Sequence, residues 1–249
     1  MAGFTPALAS LDQFSEKQNI LVLCYHDIVA DGVNDANASS DVTVSAFKDQ
    51  MEWLRNEGYQ TISADDFYAS KKGMPVTLPA KPLLITFDDG YLGEYTYGYT
   101  VLKWMGFHGT FFVHTDFVGT VTSKVHMSWD QLREVDQQGL FKIYAHTVTH
   151  PNLPDVKKDQ LISELRDSRL AVEKHLGGSR PYMAYPYGNF DDAVLKVARQ
   201  YYSMAFTLDN AVDKPKILHQ EDRMAVSKAI LTLDDFKESV ARWMSVGRP

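Results

Sequence analysis

The chain has 249 residues, 45% of them hydrophobic, enough to bury one sizeable core; its length fits one α/β barrel or two small domains, and one domain is the simpler reading. A net charge of −7, with no run of Lys and Arg, argues against a nucleic-acid partner. The one cysteine, Cys24, excludes an intrachain disulfide and a cysteine-rich metal site, and no stretch reaches the roughly 20 apolar residues that span a bilayer.

Short β-branched or aromatic runs alternate with longer amphipathic segments, the pattern of a parallel sheet covered by helices. Residues 1–19 read as an N-terminal extension and 20–249 as the domain. "ILVLCYH" (20–26) is the first strand, and the polar loop "DIVADGVNDANASSD" follows it. The next segment predicts a helix, with Ser45 as N-cap, Phe47, Met51 and Leu54 at three-to-four spacing, and Gly58 as the stop. A short strand "YQTI" and a helix capped by Ser63 come next, and "GMPVTLPAKP" leads into the strand "LLITF". After it come a helix over 94–105, the strand "GTFFVHT", the capped helix "SWDQLREVDQQG" and the strand "LFKIYA". A surface helix within 155–176 puts Leu161, Leu165, Val172 and Leu176 on one face. "RPYMAYPYG", the helix "FDDAVLKVARQYY", the strands "SMAFTL" and "RMAVS", and a closing helix "TLDDFKESVARWM" complete the series. Seven or eight such units predict an α/β fold, a single distorted or incomplete (β/α)7-8 barrel.

The strand "LLITF" stops on adjacent carboxylates, Asp88 and Asp89. They repel each other and lose solvation beside a packed interior, so a compensating group is expected. Parallel α/β folds gather their active sites at the C-terminal ends of the strands, where "TFDDG" lies. Another strand, "LFKIYA", ends on "HTVTH". Pro151 disfavours helical geometry at His150, so His146 and His150 belong to a strand end and its loop. Imidazoles together with carboxylates suit Zn²⁺ or another divalent first-row metal such as Co or Ni. Either feature alone is common as a cap, a turn or a solvated pair; their joint occurrence at two strand ends points to a metal. Cys24 reads as a small buried hydrophobe, His114 as a supporting or packing residue, and His108, His126 and His175 as surface residues.

At this point the chain resembles the polysaccharide deacetylase group (NodB-homology, carbohydrate esterase family 4). "TFDDG" (86–90) is similar to its first motif, "HTVTH" (146–150) to its His-Ser/Thr-x-x-His motif, and "YPYG" (185–188) to the core of its third. "LCYHDI" (23–28) and "FKDQMEWLRNEGYQTISADDF" (47–67) resemble the circularly permuted branch that deacetylates poly-β-1,6-N-acetyl-D-glucosamine, a biofilm exopolysaccharide. The resemblance implies a NodB-type barrel with one metal ion held by Asp89, His146 and His150, and Asp88 as general base. It implies that the backbone N–H of Tyr187, in a turn shaped by Pro186 and Gly188, faces the developing oxyanion, and that His26 protonates the leaving amine. His219, in "ILH", competes with His26 for that last role. The family's third motif usually carries an arginine where this chain has Ala184, and Arg180 or Arg223 is the available replacement.

The implied substrate is an N-acetylglucosamine polysaccharide. Tyr91, Tyr95, Tyr97, Trp129, Tyr185 and Tyr187 are candidate sugar-stacking residues. Other readings stay open: chitin or peptidoglycan oligomers, a small cyclic amide, or a carbohydrate-binding protein of weak activity. The start of the chain lacks a signal-peptide pattern. Polymer-processing members of the family suggest an extracytoplasmic setting with a trimmed leader, against a cytoplasmic one.

Overall fold

Parallel pairing of the apolar runs builds the frame of the protein in a computed structural model that describes residues 19–33, 39–208, 221–227 and 232–245. In chain order the strands are β1 (Leu21–Tyr25), β2 (Ile28–Val29), β3 (Val42–Thr43), β4 (Gln60–Thr61), β5 (Pro82–Asp89), β6 (Gly109–Val113), β7 (Phe141–Ala145), β8 (Tyr182–Ala184), β9 (Met204–Phe206) and β10 (Met224–Ala225). The helices are α1 (Val44–Asn56), α2 (Ala64–Lys71), α3 (Thr100–Met105), α4 (Trp129–Asp136), α5 (Lys158–Leu176), α6 (Asp192–Tyr201) and α7 (Leu233–Ser245).

The main sheet runs β10-β1-β5-β6-β7-β8-β9, every pair parallel, with β4 lying against the start of β5. Its two edges meet through residues 221–226. Glu221 exchanges backbone hydrogen bonds with β9 at Ala205 and Thr207, and Met224 and Ala225 pair with Leu23 and Cys24 of β1. The result is the expected α/β barrel, distorted where β7 and β8 share the single register pair Ala145↔Met183.

Alternation along the strands sorts the core into two parts. Leu83, Ile85 and Phe87 join the outer cluster that packs under the helices, whereas Leu84 joins Val22, Phe112, Tyr144 and Phe206 inside the barrel. Phe67 of α2 closes the interior from the N-terminal end, its ring 5.5 Å from that of Phe206. The opposite end is left for polar side chains.

The helices follow their local signals, with one shifted boundary. Ser63 and Ser128 each make a capping box, with Asp66 and Gln131. α1 is capped by Thr43 and not by Ser45, because Asp31 takes the Ser45 hydroxyl at 2.6 Å and leaves Thr43 to accept from Ala46 N–H. The helix expected over 94–105 opens as a π-helical turn (Glu94–Tyr99) before α3. Among the described residues no helix is long and apolar enough to cross a membrane. The 1–18 stretch and His219 lie outside the described residues.

Candidate active site

At the C-terminal end of the barrel the register sets Asp89 beside Val113 and Val113 beside Ala145, so His114 and His146 emerge one residue later on neighbouring strands. In a regular strand Asp88 and Asp89 would face opposite ways. Asp89 instead has φ 83°, and Gly90 after it has φ 74°, so the strand ends in a left-handed turn. A Cβ at Gly90 would lie 2.9 Å from Val113 Cγ1, which explains the glycine of "TFDDG". Both carboxylates consequently reach the same imidazole: His146 Nε2 is 4.0 Å from Asp88 Oδ2 and 3.7 Å from Asp89 Oδ1.

The two acids have different partners. Asp88 is buried inside the barrel and held by Arg223 through two parallel bonds, Nη1 to Oδ1 and Nη2 to Oδ2, both 2.6 Å. Arg223 is also fully buried and donates to the Thr207 carbonyl and Thr86 Oγ1. Burial alone would raise the Asp88 carboxyl; the Arg223 guanidinium and His146 outweigh it and hold the group below its ordinary value. Arg223 therefore supplies the cation that Ala184 cannot. Arg180 is engaged elsewhere, in a paired contact with Asp136 at 2.6 and 2.9 Å.

Asp89 Oδ1 is buried and has no hydrogen-bond partner among the described residues. Around it stand His114 Nε2 at 3.5 Å, His146 Nε2 at 3.7 Å and His150 Nε2 at 3.5 Å. The ligand atoms of Asp89, His146 and His150 lie within 4.8 Å of one another. His146 Nδ1 is 2.8 Å from the Ala184 carbonyl, which can only accept, so Nδ1 carries the proton and Nε2 turns a lone pair toward Asp89. Burial pushes the His146 imidazole down to about 3, and His150 is lowered for the same reason, so both rings are neutral at pH 7. An unpartnered carboxylate oxygen facing the His146 lone pair and the His150 imidazole fits a divalent cation.

The loop that carries His150 is fixed from below. Glu164, buried on α5, accepts from Val148 N–H at 2.8 Å, Thr149 N–H at 2.9 Å and the Thr149 hydroxyl at 2.5 Å. Thr147 Oγ1 accepts from His150 N–H at 3.1 Å. Thr147 (φ 68°), His150 (φ 58°) and Tyr187 (φ 59°), with Asp89, are the non-glycine residues of positive φ among those described. Each costs on the order of 1–3 kcal/mol, and all four border this site.

His26 follows β1 directly, and with Cys24 and Asp88 it forms a second group whose atoms lie within 4.8 Å. A cation there would meet the Arg223 guanidinium already bound to both Asp88 oxygens, so this group suits proton chemistry and not a metal. Tyr187, a residue 57% exposed, sits in the turn Pro186–Gly188 with its ring 4.7 Å from that of His150. Gly188 is required in that turn, since a Cβ would lie 2.5 Å from Leu208 N.

Two sequence readings need correction. His126 is buried, with Nδ1 3.3 Å from the Asp89 carbonyl, and is no surface residue. Tyr185 is fully buried against Phe190 and offers no face to a sugar. Trp129 stacks on His175 at 4.1 Å, so one of its faces is covered, while His175 stays partly exposed.

A family model described as polysaccharide deacetylase matches residues 76–205, which contain Asp88, Asp89, His146, His150 and Tyr187. The chain belongs to the polysaccharide deacetylase family. This deacetylase is 30% identical over 83% of its length to the putative polysaccharide deacetylase YxkH of Bacillus subtilis, covering 71% of that protein. It is 26% identical over 81% of its length to poly-beta-1,6-N-acetyl-D-glucosamine N-deacetylase of Staphylococcus aureus, covering 71% of that relative. Among solved structures, IcaB from Ammonifex degensii superposes with a TM-score of 0.77 at 26% identity, covering 91% of this chain and 97% of that one. The polysaccharide deacetylase BC0361 from Bacillus cereus gives 0.74 at 25% identity, covering 89% and 68%. The barrel is that of these deacetylase neighbours, and the chain is an N-deacetylase enzyme.

Proposed function

We propose that this enzyme removes N-acetyl groups from N-acetylglucosamine polysaccharide, with poly-β-1,6-N-acetyl-D-glucosamine as its substrate, using one divalent ion, zinc in the first instance. The observation that carries the metal reading is the buried, unpartnered Asp89 Oδ1 facing the Nε2 atoms of His146 and His150. Asp89, His146 and His150 would hold the ion, whose chemistry there would be to lower the pKa of a water and polarise the acetamide carbonyl.

The protein's own groups divide the remaining tasks. Asp88, kept ionised by Arg223, is the general base that takes a proton from the attacking water. Asp88 Oδ1 accepts one donor among the described residues, which leaves a second lone pair for that proton. Tyr187, held at positive φ, presents its backbone N–H toward the negative charge that builds on the carbonyl oxygen, and Pro186 and Gly188 fix its turn. His26, on the Asp88 side, delivers a proton to the departing amine. Tyr187, exposed and beside His150, offers the sugar platform nearest the proposed metal ligands.

The β-1,6 linkage is favoured by the likeness to the staphylococcal poly-beta-1,6-N-acetyl-D-glucosamine N-deacetylase, over 81% of this chain and 71% of that relative. The test is acetate release from β-1,6-linked N-acetylglucosamine oligomers and from chitin oligomers, before and after chelation. Release from the first set that stops on chelation and returns with zinc is expected. Release from chitin oligomers alone overturns the linkage, and release that survives complete metal removal overturns the metal.

A further inference from the structure

Lys124 lies in the long excursion between β6 and α4, at a tight turn closed by the Val121↔Val125 bridge. That excursion is attached to the metal side of the mouth: Leu92 N–H donates to the Val125 carbonyl at 2.8 Å, Met127 N–H to Gly90 at 2.9 Å, and His126 meets the Asp89 carbonyl. From there the Lys124 side chain crosses to the other side. Its ammonium is 3.0 Å from Asp27 Oδ2, bonds Asp41, and lies 4.8 Å from the centre of the Tyr91 ring. Asp27 directly follows His26, and Asp41 directly precedes β3.

Several features separate this group from an ordinary surface ion pair. The side chains are 18% (Lys124), 10% (Asp27) and 3% (Asp41) exposed, so two carboxylates and one ammonium share a largely dry site. Burial would lower the Lys124 ammonium, and the two carboxylates outweigh it and hold it up. Asp27 Oδ1 has no hydrogen-bond partner among the described residues and is pressed against Gly93, where a Cβ would lie 2.1 Å away. The backbone on both sides is paired: Val42 N–H donates to the Asp27 carbonyl, and Ile28 and Val29 pair with Val42 and Thr43. A buried charge set of this kind fixes one geometry more than it adds stability.

We propose that Lys124 is a positioning residue, a latch that ties the metal side of the mouth to the segment carrying His26 and so sets where His26 stands relative to Asp88 and Asp89. The role assigned to His26 rests on the function proposed above; the latch itself is a structural claim that can be tested without turnover.

The test compares wild type, Lys124→Met, Lys124→Arg and Asp41→Asn. In Lys124→Met, amide exchange over 27–29 and 42–43 should quicken by about 10-fold or more as the local opening free energy falls. The ring NMR signal of His26 should move or broaden while those of His146 and His150 hold, and zinc affinity should not change. On β-1,6-linked oligomers kcat should fall by about 100-fold with KM near wild type, the signature of a misplaced group, and Lys124→Arg should restore most of it. Asp41→Asn should shift exchange and the His26 signal in the same direction, which keeps the proposal exposed if Lys124→Met does not fold. Unchanged exchange, or faster exchange with an unmoved His26 signal, overturns the latch. Absence of turnover in wild type overturns the proposed function, and exchange and NMR still decide the latch.

Discussion

Asp88 and Asp89 are consecutive, and the two sides of the mouth treat them in opposite ways. On the β1 and β10 side Asp88 meets a cation built into the chain, with Arg223 bonded to both of its oxygens. On the β6 and β7 side Asp89 meets imidazoles, and among the described residues its Oδ1 is left without a hydrogen-bond partner. A buried carboxylate must be neutralised somehow. Where the protein supplies the counter-charge permanently the acid suits the proposed role of base, and where it supplies imidazoles the proposed metal ion would bring the counter-charge. One pair of adjacent acids thereby meets two separate environments, which the proposed function assigns to two roles.

That contrast is broken most forcefully by exchanging the acids for amides. Asp89→Asn should lower zinc affinity by more than about 100-fold, beyond the 10- to 100-fold that loss of an outer hydrogen-bond partner brings, and abolish turnover. Asp88→Asn should also abolish turnover but leave zinc binding near wild type, as read by isothermal titration; equal loss of metal in both would erase the distinction. Next comes Arg223→Met, which strands Asp88 as a buried charge and should cost about 3–5 kcal/mol of stability in urea unfolding, with zinc affinity little changed. Glu164→Gln weakens three bonds that hold the His150 loop and should cost about 10- to 100-fold in zinc affinity while Asp88 chemistry stays intact.

A gentler probe is pH. The His146 imidazole is held near 3 by burial against an ordinary 6.5, so on acidification the unfolded chain takes up the proton first. The metal-free protein should keep the associated stability above pH 6.5 and lose it as pH falls from there toward 3, with a shallower slope in His146→Gln. The smallest expected effect is that of Tyr187→Gly, which relieves a positive φ and should raise stability by about 1 kcal/mol while weakening oligomer binding.

The half of the site proposed to hold the metal is legible from the residues, since paired acids after an apolar strand and two histidines before Pro151 are local signals. The other half is not. Arg223 lies 135 residues from Asp88 and meets it only because residues 221–226 close the barrel, so local spacing offered two arginines and no means of choosing. Glu164 sits on a helix whose apolar spacing is obvious, and a buried acid on such a helix looks like any solvated one in sequence. His126 was misread because its loop is polar, although the loop folds back over Asp89. Positive φ at Asp89, Thr147, His150 and Tyr187 carries no residue signature, unlike glycine, yet it aims the functional groups. The elements themselves were read well, because period and caps decide them, and the Thr43 cap was missed only through the distant competition of Asp31 for Ser45.

The most direct measurement is anomalous diffraction at the zinc edge from crystals soaked in zinc. One peak is expected within about 2.0–2.2 Å of Asp89 Oδ1, His146 Nε2 and His150 Nε2. A peak seated instead among Cys24, His26 and Asp88, or none at the Asp89 oxygen in fully soaked crystals, would contradict the division between the two acids.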